Sequence, residues 1–130
     1  MGLYFTMSHG KFATAVNCMD GRTQIPVIEY LKKKYGVDFV DDVTEAGPDK
    51  ILHSHSPVVE SIRRRVEISV KKHGSHVIAV VAHHDCAGNP VCKDTHLVDV
   101  KDSVRRVSGW FKGVDVVGLW VDKNWVVHEV

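Results

Sequence analysis

Apolar positions along the chain fall into two alternating patterns. Lys11–Cys18 (KFATAVNC) reads as a short buried strand, and Gln24–Tyr35 carries Val27, Ile28, Leu31 and Tyr35 at helical spacing. Pro26 sits near the start of that helix and Gly36 ends it. Asp38–Val43 (DFVDDV) alternates as a strand does, and Ala46-Gly47-Pro48 forces a turn. Pro57 opens a helix to about Lys72 with a stripe of Val59, Ile62, Val66 and Val70, stopped by Gly74. His76–His83 (HVIAVVAH) is a nearly continuous β-branched run, the composition of a central strand buried on both faces. A loop over Asp85–Asp94 leads to a helix over Thr95–Phe111, whose Leu97, Val100, Val104, Val107 and Phe111 are spaced 3, 4, 3, 4. Val114–Val121 and Trp125–Val130 read as two strands around Asp122-Lys123-Asn124.

The order β-α-β-α-β-α-β-β predicts an α/β fold: a mostly parallel central sheet of five strands with flanking helices and right-handed crossovers, its last strand antiparallel. In open sheets of this kind ligands bind beyond the carboxyl ends of the strands. That places the chemistry after Cys18, Val43 and His83.

Composition narrows the classes. A chain of 130 residues suits one domain, residues 1–130, with residues 1–10 as a loosely ordered leader. Lys and Arg total 17 against 16 Asp and Glu, so no nucleic-acid partner is expected. No apolar run has the length of a membrane span, and MGLYFTMSHGK lacks the form of a secretory signal, so no membrane partner and a cytoplasmic location are expected. Gly2 and Thr6 fit a myristoylation spacing, a pattern too short to outweigh a frayed leader. Three cysteines cannot all pair within one chain, which favours a reducing compartment and thiols free for metal or catalysis.

The first strand delivers Cys18-Met19-Asp20-Gly21-Arg22 and the third delivers His83-His84-Asp85-Cys86. Two thiolates and one imidazole suit Zn2+, and three protein ligands leave a fourth tetrahedral position open. Strand alternation favours His83 over His84, because His83 shares the parity of Val77, Ala79 and Val81 and lies three residues before Cys86. Asp20 beside Arg22 forms a carboxylate–guanidinium pair that can orient an attacking hydroxide. The pair could instead cap the next helix, or Asp20 could fill the fourth position. Cys92 could also close the site, although a free loop thiol is the simpler reading. A dithiol redox role for Cys18 and Cys86 stays open as well. His53 and His55 could shuttle protons, though solvated or helix-capping roles are commoner. Arg63-Arg64-Arg65 reads as a solvated helix face. Trp110, Trp120 and Trp125 read as core or subunit-interface residues away from the site.

These segments resemble the β-class carbonic anhydrases. Cys18, Asp20 and Arg22 match that family's C-x-D-S-R segment, and His83 and Cys86 its H-x-x-C-G segment. TEAGPDKIL (Thr44–Leu52) is similar to R-N-A-G-N at Ala46 and Gly47, and the closing VVGLWVDKNWVVHEV to the family's late strand pair. Gly21 stands where the family has Ser, Ala87 where it has Gly, and Thr44-Glu45 where it has Arg-Asn. The resemblance implies Zn2+ on Cys18, His83 and Cys86, with catalytic Asp20 and Arg22. A zinc-bound hydroxide would then hydrate carbon dioxide to bicarbonate, in a homodimer or higher oligomer. Related proteins of this kind hydrolyse carbonyl sulfide or carbon disulfide with the same ligands, so that activity and a non-catalytic zinc protein are the alternatives.

Overall fold

The computed structural model describes residues 10–130; the leader and the Gly2/Thr6 pattern lie outside the described residues, apart from Gly10. Nine elements follow in the order β1 (Phe12–Cys18), α1 (Gln24–Tyr35), β2 (Phe39–Glu45), α2 (Pro48–His53), α3 (Val58–His73), β3 (Val77–His83), α4 (Lys93–Ser108), β4 (Asp115–Val121) and β5 (Val127–Glu129). They build one five-stranded sheet in the order β2-β1-β3-β4-β5. All pairs are parallel except β4–β5, as the alternation of elements predicts.

β3 lies at the centre of the sheet, and every residue from Val77 to His83 is buried. Its side chains alternate between two cores. Val77, Ala79 and Val81 meet Ala13 and Ala15 of β1 under Val27 and Leu31 of α1. Ile78 and Val80 meet Val16 under Leu52, Ile62, Val66 and Val107 from α2, α3 and α4. Each fully buried Val, Ile or Leu contributes roughly 1.5–3 kcal/mol, so both faces of the central strands resist exposure. Gly36 and Gly74 end α1 and α3 in the left-handed conformation, with φ of 64° and 69°.

Three boundaries differ from the sequence reading. The segment after Ala46-Gly47-Pro48 continues into the helix α2, which no apolar period announces. Pro48 starts it where a missing N–H costs nothing. α4 begins at Lys93 and stops at Ser108, before Phe111. β5 is only three residues long, because Trp125 and Val126 belong to the turn that Asp122 organises. Among the described residues no helix is long and apolar enough to cross a membrane.

Candidate metal centre

The neighbouring strands β1 and β3 end side by side and deliver Cys18 and His83; Cys86 follows in the β3–α4 loop. One ligand atom of each lies within 4.8 Å of the others, and all three residues are buried. The Cys18 and Cys86 sulfurs are 3.9 Å apart. That is close to the spacing of two thiolates on one tetrahedral zinc, about 3.8 Å for Zn–S bonds of about 2.3 Å. All three cysteines are free thiols.

His83 settles which of its nitrogens faces the sulfurs. Its Nδ1–H donates to the His84 carbonyl at 2.7 Å, which leaves the Nε2 lone pair as the ligand atom. Nε2 is buried and has no hydrogen-bond partner. A buried imidazole nitrogen without a partner is costly in a folded chain, and a cation held between it and the two sulfurs would satisfy it. The donor set and its geometry therefore fit a soft divalent metal. His84 is exposed.

The surroundings favour negative charge on Cys18. The Cys86 side chain, hydrogen-bonded to Cys18, pulls the Cys18 thiol down to about 4 against the opposing effect of burial; His83 and the Gly47 and Asp20 N–H groups add to this. The same pairing, with burial, pushes Cys86 up, and the Asn89 and Gly88 amides oppose it. Burial acts to lower the His83 pKa, but the neighbouring Cys18 side chain and the His84 carbonyl raise it on balance.

Asp20 and Arg22 stand beside this centre. Arg22 Nε and Nη2 donate to the two Asp20 carboxylate oxygens at 3.0 and 2.7 Å, a fork-to-fork pair. That side-chain pairing holds Asp20 down to about 2. Asn17 and Gln24 fix the loop that presents them: the Asn17 Oδ1 accepts the Cys18 N–H at 2.8 Å, and the Gln24 amide donates to the Cys18 and Asp20 carbonyls.

Two backbone loops meet beneath the ligands. A Cβ on Gly88 would lie 2.3 Å from the Ala46 carbonyl carbon, and one on Gly47 would lie 2.7 Å from that of Gly88. Below this contact, the Asn89 amide donates to Asp49 at 3.0 Å and to Asp99 at 3.1 Å. His96 Nδ1 lies 2.6 Å from Asp49. All four side chains are buried. Sequence reasoning missed them, because charged residues are normally exposed; no spacing marks them.

Other candidates lie elsewhere. Cys92 is exposed, outside the ligand cluster, with its sulfur 3.4 Å from the Thr95 hydroxyl. His53 pairs with Asp102 at 3.1 Å, and His55 is exposed. Arg63 and Arg64 are exposed, Arg63 lying over the Trp110 ring at 5.8 Å, whereas Arg65 pairs with Glu45. Trp120 is a core residue and Trp125 packs against the core, as read from the sequence, but both lie nearer the site than expected. The Trp125 ring lies 4.4 Å from the Arg22 guanidinium and 6.4 Å from the His83 ring. Trp120 lines an open cleft of about 470 Å³ with His84, Asp85, Cys86, Cys92 and Lys93. The hairpin turn carries Trp125 back over β1's loop, which the one-dimensional pattern does not reveal.

The α/β fold is that of solved β-carbonic anhydrases. A carbonic anhydrase from Streptococcus mutans superposes with a TM-score of 0.64 at 17% identity, covering 99% of this chain and 92% of that one. A carbon disulfide hydrolase superposes at 0.61 and 13% identity, covering 97% and 83%. Tetrameric β-carbonic anhydrases from Sordaria macrospora give 0.54 and 13%, covering 98% and 85%. No curated protein matches the sequence. The family described as "Putative carbonic anhydrase" matches residues 8–130, and the chain belongs to it.

Proposed function

We propose that this protein reversibly hydrates carbon dioxide to bicarbonate at a Zn2+ ion held by Cys18, His83 and Cys86, within a single domain. The buried, unpartnered Nε2 of His83 beside two sulfurs 3.9 Å apart carries this reading. Zinc bound there supplies a nucleophile near neutral pH by acidifying water. Cys18 and Cys86 supply the anionic ligands, and the His84 carbonyl keeps the His83 tautomer correct. Asp20, held ionised by Arg22, would accept a hydrogen bond from the O–H of a nucleophile supplied by the metal and so would orient it toward the substrate carbon. Both Asp20 oxygens are occupied by Arg22, which supports an orienting role over ligation. The exposure of Cys92 argues against closure from that side.

Hydrolysis of carbon disulfide or carbonyl sulfide is the second reading, favoured by the likeness to a carbon disulfide hydrolase. Those molecules are linear like carbon dioxide. The free thiols suit a reducing cytoplasm, and the tetrameric neighbours support a homodimer or larger assembly. The deciding experiment is stopped-flow carbon dioxide hydration expressed per zinc atom. A rate that chelation abolishes and zinc restores is expected; no rate at full zinc occupancy would overturn the hydration reading.

A further inference from the structure

Arg22 is held from three loops at once. Its Nε and Nη2 grip Asp20. Its Nη1 donates to the Asp85 carboxylate and its Nη2 to the Asp85 carbonyl, both at 3.2 Å. Four of the five guanidinium N–H groups are thus used. Trp125 covers the group's face at 4.4 Å, within cation–π range.

The backbone gives the second line of argument. Among the described residues, only Asp85 and Trp125 combine a side chain with a left-handed φ, at 58° and 62°. Asp tolerates that region, but for a residue as bulky as Trp it is an outlier. Both contact the same guanidinium. Strain of this kind persists where surrounding contacts over-determine it, and it clusters at functional sites. Here Asp122 does the holding: its Oδ1 accepts the Asn124 and Val126 N–H groups, and its carbonyl accepts that of Trp125.

The geometry points to Asp85 and Trp125 as positioning residues for Arg22, and through it for the Asp20 carboxylate beside the metal ligands. The inference rests on the orienting role proposed for Asp20. It also assigns Arg22 away from substrate: with one N–H free and its face covered, the guanidinium is a staple between the β1–α1, β3–α4 and β4–β5 loops.

The test compares Trp125→Phe, which keeps an aromatic face, with Trp125→Leu, which keeps bulk without one. Asp85→Asn, which keeps an acceptor, is compared with Asp85→Gly, which removes it and relieves the left-handed backbone. In the zinc-loaded full chain, exchange of the Arg22 Nε–H with water is read by NMR, and kcat and KM are measured alongside. The Trp125→Leu and Asp85→Gly variants should exchange about fivefold faster or more and lose kcat with zinc retained, while Trp125→Phe and Asp85→Asn stay near the parent. Equal, parent-like exchange in all four overturns the inference. If Trp125→Leu does not fold, the Asp85 pair decides alone by the same criterion. A parent that hydrates no carbon dioxide would remove the proposed reaction, yet the Arg22 exchange result would still stand or fall independently.

Discussion

Replacing Gly88 by Ala adds one methyl group at the place where the Cys86-bearing β3–α4 loop touches the β2–α2 loop. The new Cβ would sit 2.3 Å from the Ala46 carbonyl carbon, 2.5 Å from its oxygen and 2.6 Å from the Gly47 nitrogen. All three are backbone atoms, so no rotamer change relieves the clash. Reaching 3.4 Å, where ordinary contact begins, needs a separation of 1.1 Å. The Gly47 N–H that steadies Cys18 and the Gly88 and Asn89 N–H groups that steady Cys86 move with those loops. Metal sites tolerate about 0.2 Å in ligand distance, so the shift is several times too large. Zinc affinity should fall about 10–100-fold, the usual effect of disturbing groups that support ligands. Overpacking should lower stability by about 1–3 kcal/mol. Chelator competition reads the first and the urea midpoint the second. Gly21→Ala is the control: it lies in the other ligand loop, but its Cβ meets nothing within 4 Å. If the two variants bind zinc alike and unfold at the same urea concentration, the reasoning about the loop contact is wrong.

Cys86→Ser should lose most bound zinc by metal analysis, and full occupancy would refute its place among the ligands. Asp20→Ala should keep zinc and lose roughly 100-fold or more in turnover; unchanged hydration would remove its orienting role. Asn89→Ala should cost about 3 kcal/mol in chemical denaturation, because the buried Asp49 and Asp99 lose their shared donor. The Asp122 carboxyl, hydrogen-bonded by His128, is held down to about 2, below the roughly 3.9 of an unfolded Asp. Its contribution is therefore complete above about pH 4 and lost as the pH falls through about 2. The gap in urea midpoint between the parent and Asp122→Asn should narrow over that range; a constant gap would contradict the assignment.

The sheet was legible because burial on both faces leaves an unambiguous record. Val77–Val81 has no polar residue to blur the strand, and the 3-4 spacing of α3 and α4 reports the side that meets the sheet. α2 escaped because six residues hold less than two turns, too few for a period. The candidate ligand residues stood out by chemical type at predicted strand ends. What supports them did not. Asn89, Asp49, His96 and Asp99 hydrogen-bond to one another across three segments, so only the folded chain explains their burial. Trp125 depends on the turn geometry of a hairpin, where a left-handed bulky residue runs against local preference.

Cys18 and Cys86 are 68 positions apart in sequence. A metal ion gripping both ties a ring of that size, comparable to a cross-link worth about 4 kcal/mol of chain entropy. No short fragment offers the site, so during synthesis it comes into being only after β1 and β3 have paired. With Zn2+ bound as proposed, metal supply would govern how long the protein lasts as well as how fast it works. A cell starved of the ion would carry more unfolded chain, and its proteases would clear it. The amount of this protein would thereby follow the amount of free metal, with no dedicated sensor in between.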